Sequence, residues 1–375
     1  MTPPPAIAQV LWSMGIGGAE RALYQLVRGL RAQGLQVDVL VSSIAGLYGD
    51  RLRAEGVPII ELGQRSGLDV AVARRARAIL ARYDVIHFHS ADLLLVREAT
   101  QLGRSKLFYT HRAGRFNYSA RRALKYEAVG HFLRKSFSVA ANTQQAAHAA
   151  SSLFRIPLDE IQVVYNGLDF SLLDPTRPRE EVREELGLPE SSVLIGTSGN
   201  IRNWKRMDRL IEAVAALSAM PVHCVIVGDG PERPALERLR DRLGLGDRVT
   251  FAGRKKHVGD YLQVLDVFTL PSGPEESFGN AAVEAMGVGL PTIVFADGGG
   301  LTEHVVDGET GFVVRDQVEF VQRLAELVQD EQLRISIGGS AMESVRHKYS
   351  LEAMVDRHTE LYRGRLREPE VLVHA

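Results

Sequence analysis

Short apolar runs, separated by segments with helical spacing, recur along the chain in two series, and this alternation limits the fold more than any other feature. The first series reads IAQVLW, QVDVLVS, VPIIEL, DVIHFH, KLFYTH, SFSVAA and IQVVYN. The second reads SVLIGTS, HCVIVG, RVTFAG, VFTLPS and PTIVFA. Runs that are apolar along their whole length suit strands buried on both faces, hence parallel sheets covered by helices. The intervening segments, such as Ala19 to Gln33 and Met207 to Leu217, repeat apolar residues at helical spacing. A chain of 375 residues exceeds one ordinary core. The two series therefore predict two doubly wound α/β domains. The break is expected in the Pro- and charge-rich stretch 169–192, giving an N-terminal domain 1–175 and a C-terminal domain 190–350. A last helical pattern, 351–367, follows the second domain and is expected to join the first.

Doubly wound sheets bind ligands at the carboxyl ends of their strands, so facing domains would hold a ligand in the cleft between them. The stretch GPEESFGNAAVEAMGVGLP sits at such a place, after VFTLPS. Glu276 precedes its helical part, and Glu284 lies inside the apolar run of Ala281, Ala282, Val283, Ala285 and Met286. A carboxylate in that run must be paired or must face a polar ligand, since burying it alone is costly. Were the segment helical throughout, the two glutamates would stand about 12 Å apart, the reach of a nucleoside diphosphate. Gly279 would let a phosphate approach the helix N-terminus, where free N–H groups favour an anion.

The loop GIGGAER, after the first strand, also has a phosphate-approaching shape. It lacks the third glycine of the dinucleotide fingerprint, and Ser42 and Ser43 stand where an acidic residue would end the second strand. A dehydrogenase is disfavoured. His87 and His89 share a strand face but have no third ligand in view, and no Asp-x-Asp occurs, so no metal is expected.

Charge divides the chain. Residues 1–170 hold 21 Lys+Arg against 13 Asp+Glu, a net of +8, while the remainder carries −9. Ten basic residues fall between Arg97 and Lys135, part of them in the basic amphipathic pattern 121–137. An anionic partner is expected for this half: an anionic acceptor or an anionic membrane surface. No nucleic-acid-binding motif accompanies the patch, so nucleic acid is not an expected partner. The pattern 121–137 can equally pack its apolar side on the sheet. The single cysteine, Cys224, reads as a core residue of a chain in a reducing compartment. The N-terminus shows no signal peptide, and the most apolar window, Met286 to Ala296, is too short to span a bilayer. A soluble, cytoplasmic protein is expected, with peripheral contact to the inner face of the membrane as one outcome of the basic patch.

The stretch PEESFGNAAVEAMGVGLPTIVFADGGGLTEHVVDGETGFVV resembles the C-terminal signature of glycosyltransferase family 4, retaining enzymes of GT-B fold, including its Glu-x7-Glu pair. GIGGAER, VVYNGLDF, VIVGDGPERPAL and DVFTLPS extend the resemblance over essentially the whole chain. It implies an α/β GT-B architecture with two Rossmann-like domains facing each other across a cleft. The implied reaction moves a sugar from a nucleoside-diphosphate sugar, a UDP-sugar first, to an acceptor hydroxyl. No cofactor is implied; the acceptor would be a glycan, a lipid-linked precursor or a small molecule.

The implied roles follow the matching residues. Glu276 would bind hydroxyls of the donor sugar, and Glu284 the ribose. Phe278, Gly279 and Asn280 would lie along the diphosphate, and Lys205 would neutralise it. Gly18 would border the diphosphate and acceptor, and His111 would stand near donor sugar and acceptor. The family's usual Gly-Arg pair reads Gly199-Asn200 here, so Asn200 lines the phosphate site without a charge and Arg202 is the favoured replacement cation. The alternatives are a natural-product glycosyltransferase, a nucleotide-sugar epimerase or phosphorylase of GT-B type, and a nucleotide-sugar-binding protein with a degenerate site.

Overall fold

The computed structural model describes residues 5–66, 69–116 and 118–364, with Arg121 described by its backbone alone. The chain divides into two compact units. One takes the residues up to Gly167 together with those from Leu351 onward, and the other is Leu168–Ser350.

In the first unit, β1 (Ala6–Leu11), β2 (Gln36–Val41), β3 (Ile59–Glu61), β4 (Val85–Phe88), β5 (Lys106–His111), β6 (Ser138–Ala141) and β7 (Ile161–Val163) form one sheet. Its order is β3-β2-β1-β4-β5-β6-β7, and every pairing is parallel. The order reverses direction between β1 and β4, paired with Ile7 opposite Val85. Tight packing of apolar side chains on both faces explains the continuous apolar runs: Val10, Ile86 and Phe88 join one core, and Val39, Val85 and Phe108 the other.

The second unit repeats the plan with β8 (Val193–Ser198), β9 (Val222–Val227), β10 (Val249–Gly253), β11 (Val267–Leu270), β12 (Thr292–Phe295) and β13 (Gly311–Val314). The order is β10-β9-β8-β11-β12-β13, again parallel. Here the reversal falls between β8 and β11. All twelve apolar runs contain strands; β13 is the strand that the alternation did not single out. Its four residues follow DGET directly and add too little apolar length to separate them from the preceding loop. Cys224 is buried on β9, and burial pushes its thiol pKa up.

One expectation needs correction. The division falls at Gly167 and Leu168, not in 169–192. That stretch is built into the second unit: Thr176 donates its N–H to Asp260 at 2.6 Å, Lys255 pairs with Glu185 at 2.6 Å, and Val182 is fully buried. Arg177, Arg179 and Glu185 also have ion-pair partners, so charge here accompanies packing rather than a linker. The last helix, Leu351–Arg363, returns to the first unit and lies against Gly18–Ala32. Gly29 makes the approach close enough that a Cβ there would meet Val355 Cγ2 at 2.3 Å. Residues 365–367 of the expected helix lie outside the described residues.

The Ala120–Ser136 helix buries Val129 and Leu133 and packs Phe132 on the core, while Leu124 is 72% exposed. Val129, Phe132 and Leu133 thus serve the core, and Leu124 does not. Among the described residues no helix is long and apolar enough to cross a membrane.

Candidate active site at the reversal of the second sheet

The loops after β8 and β11 leave neighbouring strands at the point where the sheet changes direction, the usual ligand position of a doubly wound sheet. Backbone bonds tie them together: Gly273 donates to the Trp204 carbonyl at 2.7 Å. That tie brings Lys205 Nζ and Glu276 Oε2 into a hydrogen-bonded ion pair, with side chains 14% and 13% exposed. Ser272 Oγ adds a bond to Glu276 Oε2 at 3.3 Å. The sequence singled out both residues; their contact with each other is a product of the fold.

Helical geometry begins only at Asn280, so the spacing estimate for an unbroken helix from Glu276 to Glu284 does not apply. Gly279 precedes the Asn280–Gly287 helix with φ 74°, in the left-handed region, and a Cβ there would lie 2.1 Å from Leu301 Cδ2. Phe278 is 2% exposed and its ring stacks on His304 and Tyr349, so only its backbone can border a ligand. Glu284 is 3% exposed within the helix, among Ala282, Val283, Ala285 and Met286.

The basic residues of NIRNWKRMDR are largely committed. Lys205 holds Glu276, Arg206 holds Asp208 at 2.9 Å, and Arg209 holds Asp297 in a two-pronged pair at 3.1 and 3.0 Å. Arg202 makes no ion pair among the described residues; it is exposed, its guanidinium 5.8 Å from the Trp204 ring centre. Asn200 lies half-buried beside it in the loop after β8. Arg209 escaped the sequence reading. It packs over the Phe295 ring at 4.1 Å and is 14% exposed, beside the Pro271 carbonyl. A helix-borne arginine in DRLIEA reads as a surface residue until Asp297 is seen to face it.

The remaining calls fall in the first unit. Gly18 opens the helix after β1, at the reversal of the first sheet. His111 ends β5, 4% exposed, with Nε2 lacking a partner among the described residues. Burial pulls its pKa down to about 4, so the ring is neutral near pH 7. It borders a pocket of about 560 Å³ whose wall includes Arg115, Phe116, Tyr118, Glu127 and His148. The His87 and His89 rings are occupied by protein: His87 bonds Tyr362 at 2.8 Å and Thr110 at 2.7 Å, and His89 bonds Gln9 at 2.7 Å and Arg112 at 3.2 Å. Among the described residues no group of three or more His, Cys, Asp or Glu is placed to hold a metal ion.

Two family models match the chain in succession: Glycosyltransferase Family 4 over residues 16–172 and Glycosyl transferases group 1 over residues 178–343. The chain belongs to the family-4 glycosyltransferases. Its architecture is the GT-B fold of two Rossmann-like domains: Anabaena HepE, solved with UDP, superposes with a TM-score of 0.85 at 22% identity, covering 96% of this chain and 100% of that one. The same protein was also solved with UDP-glucose. Among curated relatives, the N-acetyl-alpha-D-glucosaminyl L-malate synthase of Bacillus anthracis is 32% identical over 56% of this chain and 56% of its own length. The D-inositol 3-phosphate glycosyltransferase of Corynebacterium glutamicum is 27% identical over 92% and 91%. The match to the first of these relatives thus spans little more than half of that relative's length.

Proposed function

We propose that the protein is a retaining glycosyltransferase that moves a sugar from a nucleoside-diphosphate sugar, a UDP-sugar first, to an acceptor hydroxyl, with protein cations in place of a metal ion. The Lys205–Glu276 pair at the reversal of the second sheet carries this reading. Both groups are already largely withdrawn from water, so a donor can exchange their mutual bond for two of its own. Lys205 then takes the diphosphate, and Glu276 accepts from hydroxyls of the sugar. A fixed cation there stabilises the charge that grows on the leaving phosphate as the glycosidic bond breaks. Arg202, which makes no ion pair among the described residues, supplies the second charge that Asn200 cannot, and Glu284 takes the ribose. The backbone of Phe278, Gly279 and Asn280 borders the diphosphate. Retention follows if the departing phosphate oxygen takes the acceptor's proton on the face it leaves.

The acceptor binds the first unit in the pocket at His111, whose neutral ring can bond a hydroxyl. The basic first half supports a precursor of envelope glycan or glycolipid, handled in the cytoplasm at the inner membrane face. The pocket favours a second reading: about 560 Å³ beside Arg115 suits a small anionic hydroxy compound. The names of the relatives, with malate and inositol 3-phosphate, support that class.

A thermal-shift panel of nucleoside diphosphates and their sugars tests the donor, followed by transfer assays in excess EDTA with the product anomer read by NMR. Stabilisation by one nucleotide, activity in EDTA and a retained anomer are expected. An inverted product, or activity lost in EDTA and restored by Mg²⁺, would refute the corresponding part.

A further inference from the structure

The turn Gly299–Glu303, after β12, grips the loop that follows β11. Gly300 donates to the Glu276 carbonyl at 3.0 Å, and Leu301 occupies the space that a side chain at position 279 would need. His304 completes the grip, with Nε2 2.6 Å from the Phe278 carbonyl. It is 3% exposed, and its Nδ1 lies 2.8 Å from the Tyr349 hydroxyl. A carbonyl can only accept, so Nε2 carries a proton. Burial keeps the ring neutral, with its pKa pushed down to about 3, so Nδ1 is a lone pair; the Tyr349 hydroxyl, 2.8 Å from Nδ1 and 3.2 Å from the Glu303 carbonyl, donates to the nearer Nδ1. Three rings close the cluster: Phe278 is centred 4.6 Å from His304 and 5.4 Å from Tyr349.

We infer that His304 is a positioning residue of the donor site, holding the Phe278 peptide so that the backbone entering the Asn280–Gly287 helix is set to receive the donor diphosphate, with Tyr349 fixing the imidazole from behind. This rests on the donor reading above and adds a residue that touches no substrate. The carbonyls of Glu276 and Phe278 are held by Gly300 and His304, so the Glu276–Ser277 and Phe278–Gly279 peptide planes cannot rotate without losing a hydrogen bond. Such a loss is costly, and the cost keeps the N–H groups at the helix start pointing one way. Tyr349 is itself anchored. Its carbonyl accepts from Leu168 at 2.8 Å, and Ser350 bridges Leu168, at the two places where the chain enters and leaves the unit.

The test is calorimetric titration of UDP into the full chain and into His304→Leu, His304→Gln and Tyr349→Phe, with Tm recorded for each. Leucine fills the volume without donating. Glutamine places an N–H three bonds from Cβ, as Nε2 is placed, and so can still reach the Phe278 carbonyl. His304→Leu is expected to weaken UDP about tenfold, His304→Gln to recover most of that loss, and Tyr349→Phe to weaken UDP by a smaller factor in the same direction. A histidine that only supports the fold would lower Tm and leave the Kd of the folded protein unchanged, and that result overturns the inference. So does a glutamine variant no better than leucine. If His304→Leu does not fold, Tyr349→Phe decides, and a wild-type Kd there is fatal. Failure of the wild-type chain to bind any nucleoside diphosphate brings down the donor reading and this inference together, a result distinct from equal binding by wild type and variant.

Discussion

Replacing Gly279 by alanine tests whether the loop after β11 is held as tightly as its contacts imply. The residue sits at φ 74°, where an L side chain costs about 1–2 kcal/mol. The new Cβ would stand 2.1 Å from Leu301 Cδ2 and 3.3 Å from Leu270 Cδ2, well inside the ~3.5–4.0 Å optimum for carbon pairs. Leu301 is fully buried, so it can yield only by disturbing the core, at roughly 1–3 kcal/mol for overpacking. The sum predicts a loss of about 2–5 kcal/mol. Gly308 is the control: φ is 77° and nothing lies within 4 Å of its would-be Cβ, so its alanine variant should lose only about 1–2 kcal/mol. The chain's two tryptophans, Trp12 and Trp204, fall one in each unit. Urea unfolding followed by Trp204 fluorescence in a Trp12→Phe background therefore reports the second unit. Equal midpoints for Gly279→Ala and Gly308→Ala at equal slope would refute the steric part of the argument, and an unperturbed UDP Kd for Gly279→Ala would refute its link to the site.

Lys205→Ala and Glu276→Ala should each reduce transfer by a factor corresponding to about 3 kcal/mol or more while the chain stays folded; steady-state kinetics with wild-type turnover in either variant removes that residue from the mechanism. Acid should weaken the first unit. His87 and His358 are buried and His89 is half-buried, all with pKa values held below the usual range by loss of hydration, His358 at about 3. The unfolded chain takes up protons first as pH falls, so stability is complete well above about pH 6.5 and declines through and below it, by about 1.4 kcal/mol per histidine at pH 5.5. Urea midpoints from Trp12 in a Trp204→Phe background should fall accordingly, and a flat profile from pH 8 to 5.5 would contradict the burial argument. Arg206 adopts φ 47° between Lys205 and the helix from Met207; Arg206→Gly should be more stable than Arg206→Ala by about 1 kcal/mol, because only glycine relieves that conformation. Equal urea midpoints for the two variants would show that the strain is absent.

Much of the architecture is legible without coordinates because inner strands such as β4, β9, β11 and β12 are buried along their full length, so their apolar runs are a local property that needs no partner to be recognised. The same holds for helices such as Gly18–Ala32, whose buried Leu23, Leu26 and Leu30 repeat at helical spacing. Glu276 and Glu284 were legible as chemistry, since carboxylates beside or inside an apolar run demand a partner, whereas Lys205 was legible only through the resemblance to the family. Which partner each one takes is a long-range question. Lys205 and Glu276 are 71 positions apart, and Arg209 and Asp297 are 88 apart; only the order of strands in the sheet brings them together. The histidines show the same limit. His87 and His89 look like a metal pair in sequence, yet the returning helix supplies Tyr362 to one of them, and His304 looks like a loop residue until Tyr349 and the Phe278 carbonyl close on it. The stretch 169–192 reads as a linker because proline and charge are common in linkers, but Asp260 and Lys255 of the second unit satisfy its polar groups. Sequence by itself determined the class of fold and the chemical types at the site, because burial and charge are written residue by residue. Tertiary structure alone decided the pairings, because hydrogen bonds and ion pairs depend on separation in space, which distance along the chain does not set.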